Sequence, residues 1–129
     1  MSKLYIAISK PRYGNYKHWG LFLQSSEPLI VEVEGEHPNF SKNTIFGSPG
    51  SHTAAEANIL VADINEQDIP ELNKVISQAN VDNQTVEWNC QDYVLEILET
   101  LKEDCIVDED DPHYQKGVSL AKQRYFGPM

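Results

Sequence analysis

In "EWNCQDYVLEILETL" (Glu87–Leu101) a cysteine stands where polar residues give way to a helical apolar pattern. Tyr93, Val94, Ile97, Leu98 and Leu101 recur at i, i+3 or i+4 spacing, which predicts a helix with Asn89 as its cap. Cys90 therefore falls at a helix N-terminus, where unpaired backbone N–H groups and the helix dipole stabilise a thiolate and lower its pKa. The same N–H groups suit the oxyanion that forms when a thiolate attacks a carbonyl. The apolar stripe begins one turn further on, so Cys90 is expected at its edge, facing the body of the fold with the helix end open. A small structural core residue is the alternative reading of any cysteine. Cys105, beyond the helix in "KEDCIVDE", is read in that way.

A thiol nucleophile works with an imidazole that takes its proton and later protonates the leaving group. His37, His52 and His113 fall in polar, turn-like segments and read as surface residues. His18 differs. It opens the segment "HWGLFLQ" (His18–Gln24), sharing a face with Gly20, Phe22 and Gln24 while Trp19, Leu21 and Leu23 take the other. Both faces are mostly apolar, which predicts a central strand. On the next strand, Glu32 and Glu34 share a face with Ile30. A connection at Gln24–Ser26 would set His18 opposite Glu32, and one at Ser25–Glu27 opposite Glu34. A two-residue turn would set it across from Val33. Either carboxylate could orient the imidazole and stabilise its charged form. Tyr13 and Tyr16, just before His18, are further candidates for the cleft, though loop tyrosines commonly pack on a sheet edge.

The elements that must position these groups are legible from pattern. "LYIAIS" (Leu4–Ser9), His18–Gln24 and "LIVEVEGE" (Leu29–Glu36) read as strands, the last two joined through "SSEP". "HPNFSKN" breaks the pattern, "TIFGS" predicts a short strand, "PGSHTAAEA" a loop and "NILVADI" (Asn58–Ile64) another strand. Asp68 is the expected cap of a helix through "DIPELNKVISQAN", with Pro70 in its first turn. The acidic "VDEDDPHY" reads as a solvated turn and lacks the glycine and ligand spacing of a calcium loop. A last helix is expected over about 114–124. Strands first and helices second give an α+β class, an antiparallel sheet packed against helices in one domain over 1–129.

Ten Lys plus Arg against twenty Asp plus Glu leave a formal charge of −10, with the basic residues scattered. That surface repels phosphate backbones, so no nucleic-acid partner is expected. "MSKLYIAISK" is too short an apolar run for a signal peptide, and no membrane span or stable membrane anchor is expected. The expected location is the cytoplasm, where thiols stay reduced. A helix from Cys90 to Lys102 spans about 18 Å, whereas a disulfide needs Cα atoms within about 7 Å. A Cys90–Cys105 bridge is therefore not expected. The histidines lack zinc-site spacing, and neither a metal nor a cofactor is called for.

"KHWGLFL", "LIVEVEGE" and "WNCQDYVLEIL" together resemble the circularly permuted branch of the NlpC-type, papain-like superfamily. Within it the chain is most similar to lecithin:retinol acyltransferase and the H-Ras-like suppressor phospholipase/acyltransferases. His18-Trp19 matches their His-Trp pair at a strand start, and Asn89-Cys90 their Asn-Cys motif opening a helix. Those families usually carry a second histidine on the following strand, where this sequence offers Glu32. The chain also resembles small, mainly fungal proteins with an "HW … VxGE.PNF … EWNCQDWV" pattern, over nearly its whole length. That likeness brings fold information and no known substrate.

The resemblance implies a circularly permuted papain-like fold and a thiol-dependent hydrolase or acyltransferase. Cys90 would form the acyl-enzyme, with His18 as general base and Glu32 as its orienting partner. The substrate would be an ester, thioester or amide, either a small acyl compound or a peptide or protein. From a different class comes the alternative of a catalytically inactive papain-like fold serving as a protein-binding or regulatory module.

Overall fold

Leu4, Ile6 and Ile8 are buried while Lys3, Tyr5 and Ala7 turn outward, the period-two pattern of a half-buried strand. In the computed structural model, which describes residues 1–47 and 55–128, that strand is β1 (Ser2–Ser9). It is followed by β2 (His18–Gln24), β3 (Leu29–Glu34), β4 (Ser41–Phe46) and β5 (Ala55–Ile64). All adjacent pairs are antiparallel, in the order β4-β3-β2-β1-β5. Three helices follow: α1 (Ile69–Gln78), α2 (Cys90–Glu103) and α3 (Pro112–Tyr125). The protein is α+β, with a five-stranded antiparallel sheet and three helices. Among the described residues no helix is long and apolar enough to cross a membrane.

β2 is the central strand, and only Gln24 at its end is exposed. Trp19, Leu21 and Leu23 belong to the same buried cluster as Tyr93, Val94, Ile97, Leu98 and Leu101, the apolar stripe of α2. That stripe packs α2 on β2 and β3, while α1 leans on α2 and α3 covers β5. Gly117 makes the last contact possible: a Cβ there would overlap the Leu60 carbonyl oxygen of β5.

Several boundaries differ from the sequence reading for local reasons. β3 stops at Glu34 because Gly35 turns the chain with φ +99°. β4 begins at Ser41 rather than Thr44; as an edge strand it needs no apolar alternation, and Ser41 and Lys42 are exposed. β5 starts at Ala55, and the rest of the loop expected before it, including His52, lies outside the described residues. Asp68 marks the start of α1 but makes no side-chain cap; Asn65 instead accepts from Gln67 N–H at the preceding 3-10 turn. α3 starts two residues early, at Pro112, since Asp111 accepts from His113 N–H at 2.8 Å and proline suits the first helical position.

Candidate active site

The start of α2 is fixed by a reciprocal capping box. Asn89 Oδ1 accepts from Gln91 N–H at 2.9 Å, and Asp92 Oδ2 accepts from Asn89 N–H at 3.0 Å. Cys90 N–H has no hydrogen bond to another residue among the described ones, while Gln91 N–H is taken by the cap. The thiol in turn sits against the start of β2. Trp19 N–H donates to Sγ at 3.5 Å, and Sγ lies 3.9 Å from the Lys17 carbonyl oxygen, its acceptor. These two contacts bracket His18, and standard backbone dimensions then hold Sγ within about 6 Å of the His18 Cα.

The contact forms where two strands part. The β2–β3 ladder runs from Leu23↔Leu29 to Leu21↔Val31 and ends there, which leaves the first residues of β2 able to meet a helix terminus. This is the register of a connection at Ser25–Glu27; extended, it sets Glu34 across from His18 and Glu32 across from Gly20. Yet His18 Nε2 lies 3.1 Å from Glu32 Oε1. The pairing is diagonal, and Gly20 permits it by placing no side chain between the two. The geometry falls short of an aligned hydrogen bond, so the contact is a close polar approach of the imidazole to the carboxylate. Nδ1 makes no hydrogen bond within the described protein, and none joins the imidazole to Sγ.

Glu32 is the hub of this pair. Its Oε2 accepts from Arg12 at 2.8 Å and from Asn43 Nδ2 at 3.3 Å. Burial pushes its carboxyl up, but His18, the Arg12 guanidinium and Asn43 together outweigh that and hold it below its ordinary value. Glu34 serves the network from outside, 3.7 Å from Arg12 and 3.2 Å from Asn43.

Two expectations for Cys90 are corrected. The helix end is not open: Cys90 is only 2% exposed. Nor is its thiol acidified. Burial, aided by the Glu32 carboxylate, outweighs the amides of Trp19, Cys90 and Gln91 and pushes the pKa up to about 11. Cys105 is corrected as well: it is a free, exposed thiol in a left-handed turn (φ 59°), not a core residue. Cys90 is also free. His37 and His113 are exposed. Tyr16 is half-buried beside the site, its phenol pushed up to about 12 by burial and by Cys90, Glu36 and Tyr13.

Gln91 is the residue that sequence reasoning missed. Its fully buried amide donates to Lys17 O and Tyr125 O, both at 3.0 Å, and accepts from Gly127 N–H at 2.8 Å. It thereby straps residues 125–128 to the carbonyl that the thiol faces. Phe126 meets Trp19 edge-on, with centroids 6.0 Å apart, and Pro128 bridges to Tyr16. No local signal in the sequence marks this role, because its partners lie more than thirty positions away. Among the described residues no three His, Cys, Asp or Glu side chains gather to hold a metal ion.

Comparison with protein-family models, curated proteins and solved structures finds no match to this chain.

Proposed function

We propose that the protein is a thiol-dependent hydrolase or acyltransferase on a circularly permuted papain-like scaffold, with Cys90 as nucleophile, His18 as base and Glu32 as its positioning carboxylate. One observation carries the reading: Sγ is lodged against both backbone neighbours of His18, whose far nitrogen rests on a buried carboxylate. The order of His18 and Glu32 on consecutive strands, with Cys90 later on a helix, supports the permuted arrangement. Two free cysteines accord with a cytoplasmic location.

Because burial keeps the thiol protonated, attack is coupled to proton transfer. Sγ bonds to the carbonyl carbon as its proton passes to Nδ1, and the carbonyl electron pair moves onto oxygen beside Cys90 N–H. Collapse breaks the bond to the leaving alcohol, thiol or amine, which takes the proton from the imidazolium. Water or another acceptor, deprotonated by His18, then attacks the thioester and restores the thiol. Glu32 stabilises the imidazolium at each stage.

The test is acyl trapping with p-nitrophenyl acetate. The reading expects about one equivalent of p-nitrophenol in a burst and an acetyl mass on the Cys90 peptide, absent in Cys90→Ser and much slowed in His18→Ala. Labelling confined to Cys105, or unaffected by His18→Ala, overturns it. The covered, protonated thiol favours one second reading, a catalytically silent protein-binding module, which predicts no adduct on Cys90.

A further inference from the structure

A groove of about 670 Å³ opens beside the thiol, and both neighbours of Cys90, Asn89 and Gln91, line it. Its lining includes the aromatic residues Tyr16, Phe40, Trp88 and Phe126. Its charged groups among the described residues are the carboxylates of Glu36, Glu87 and Asp92; His37 also lines it, but no described lysine or arginine does. Asp92 is spent on the capping box. Glu36 and Glu87 are exposed, and neither carboxylate has an ion pair or hydrogen bond among the described residues.

We infer that this groove receives a lysine or arginine side chain of a peptide, placing a neighbouring carbonyl of that peptide toward Cys90. Three features fit this occupant together. Aromatic faces attract a cation on an aliphatic stem. Two unpaired carboxylates then neutralise its charge, in a protein whose overall charge is −10. The groove also exceeds one side chain, and its rim carries Val86 and Phe126, which are 75% and 47% exposed. Such a rim suits the residues that flank the cation in a peptide. The inference rests on the acyl-transfer reading for the fate of the peptide, but not for its binding.

The experiment is a titration of the full chain followed by the Trp88 indole N–H shift. The probes are acetyl-Ala-Lys-Ala-amide, its norleucine counterpart and 1,5-diaminopentane. The lysine peptide is expected to bind about tenfold more tightly than the norleucine peptide. It is also expected to bind more tightly than the free diamine, and to lose its advantage in Glu36→Gln/Glu87→Gln. Equal binding of lysine and norleucine peptides overturns the inference, as does a preference that survives the double substitution. A diamine that binds as well as the peptide refutes the peptide as occupant. Because the readout is binding at Trp88, peptide recognition stands or falls independently of acyl transfer, which the p-nitrophenyl acetate burst on Cys90 tests separately.

Discussion

Replacing Glu32 by glutamine removes one negative charge and almost no volume, at a side chain only 3% exposed. Arg12 at 2.8 Å loses its counter-charge, and His18 loses the carboxylate that lies 3.1 Å from it. Breaking a buried pair on one side typically costs about 3–5 kcal/mol. Two features reduce that here. The Arg12 side chain is 25% exposed and already lies 3.7 Å from Glu34, and Asn43 has Glu34 as a second acceptor. The expected loss at pH 7 is therefore about 2–3 kcal/mol. Its pH dependence follows from the lowered carboxyl of Glu32. A group depressed in the folded state stabilises above its unfolded pKa, about 4.3 for glutamate, and loses that contribution as pH falls through the folded value. Glutamine does not titrate, so the two proteins should differ at pH 7 and converge below about pH 4. Urea unfolding at pH 7, 5.5, 4 and 3 measures this. A difference under about 0.5 kcal/mol at pH 7, the size of an ordinary surface substitution, would refute the reasoning. So would one undiminished at pH 3.

Other outcomes can be checked with simpler assays. Iodoacetamide should modify Cys90 far more slowly than exposed Cys105 at pH 7.5, with the Cys90 rate still rising at pH 10, as a thiol pushed up to about 11 requires; a plateau below pH 9 contradicts the account. Glu32→Gln should speed that alkylation, since the carboxylate raises the thiol pKa, while slowing any acyl transfer, and mass spectrometry of the two cysteine peptides separates these effects. Gln91→Ala cuts three hydrogen bonds to residues 17, 125 and 127 and should raise Cys90 alkylation relative to Cys105 at least several-fold in a still-folded protein; an unchanged ratio would show that the strap does not guard the thiol. Gly117→Ala drives a methyl into the Leu60 carbonyl and should cost about 1–3 kcal/mol in thermal or urea unfolding, with no loss meaning that α3 can shift off β5.

What the sequence conveyed depended on how local each cause was. Alternation in β1 and apolarity on both faces of β2 reflect burial against immediate neighbours, and both are plain in the residues. The capping box of α2 spans four residues and was half visible as Asn89. The choice between Glu32 and Glu34 was not decidable from strand register. The register that sets Glu34 opposite His18 still brings Glu32 to it, because a glycine between them lets the longer diagonal close. The burial of Cys90 was illegible for a different reason. Residues 125–128 cover the site through one glutamine side chain, and no periodicity links positions so far apart. That cover reversed the expected acidity of the thiol, since desolvation outweighs a few helix amides.

The partners of the candidate site enter the chain at different times. His18 and Glu32 lie on neighbouring strands of a simple meander, within the first 34 residues. Trp19 and Cys90 are 71 positions apart, and the segment that covers the thiol comes later still. During synthesis at about 5–20 residues per second, the meander can form while Cys90 has yet to be made. Once made, the thiol stays uncovered until the last helix and its trailing strap have left the ribosome. The sulfur least accessible in the finished protein is thus most open to oxidants while the polypeptide is still growing.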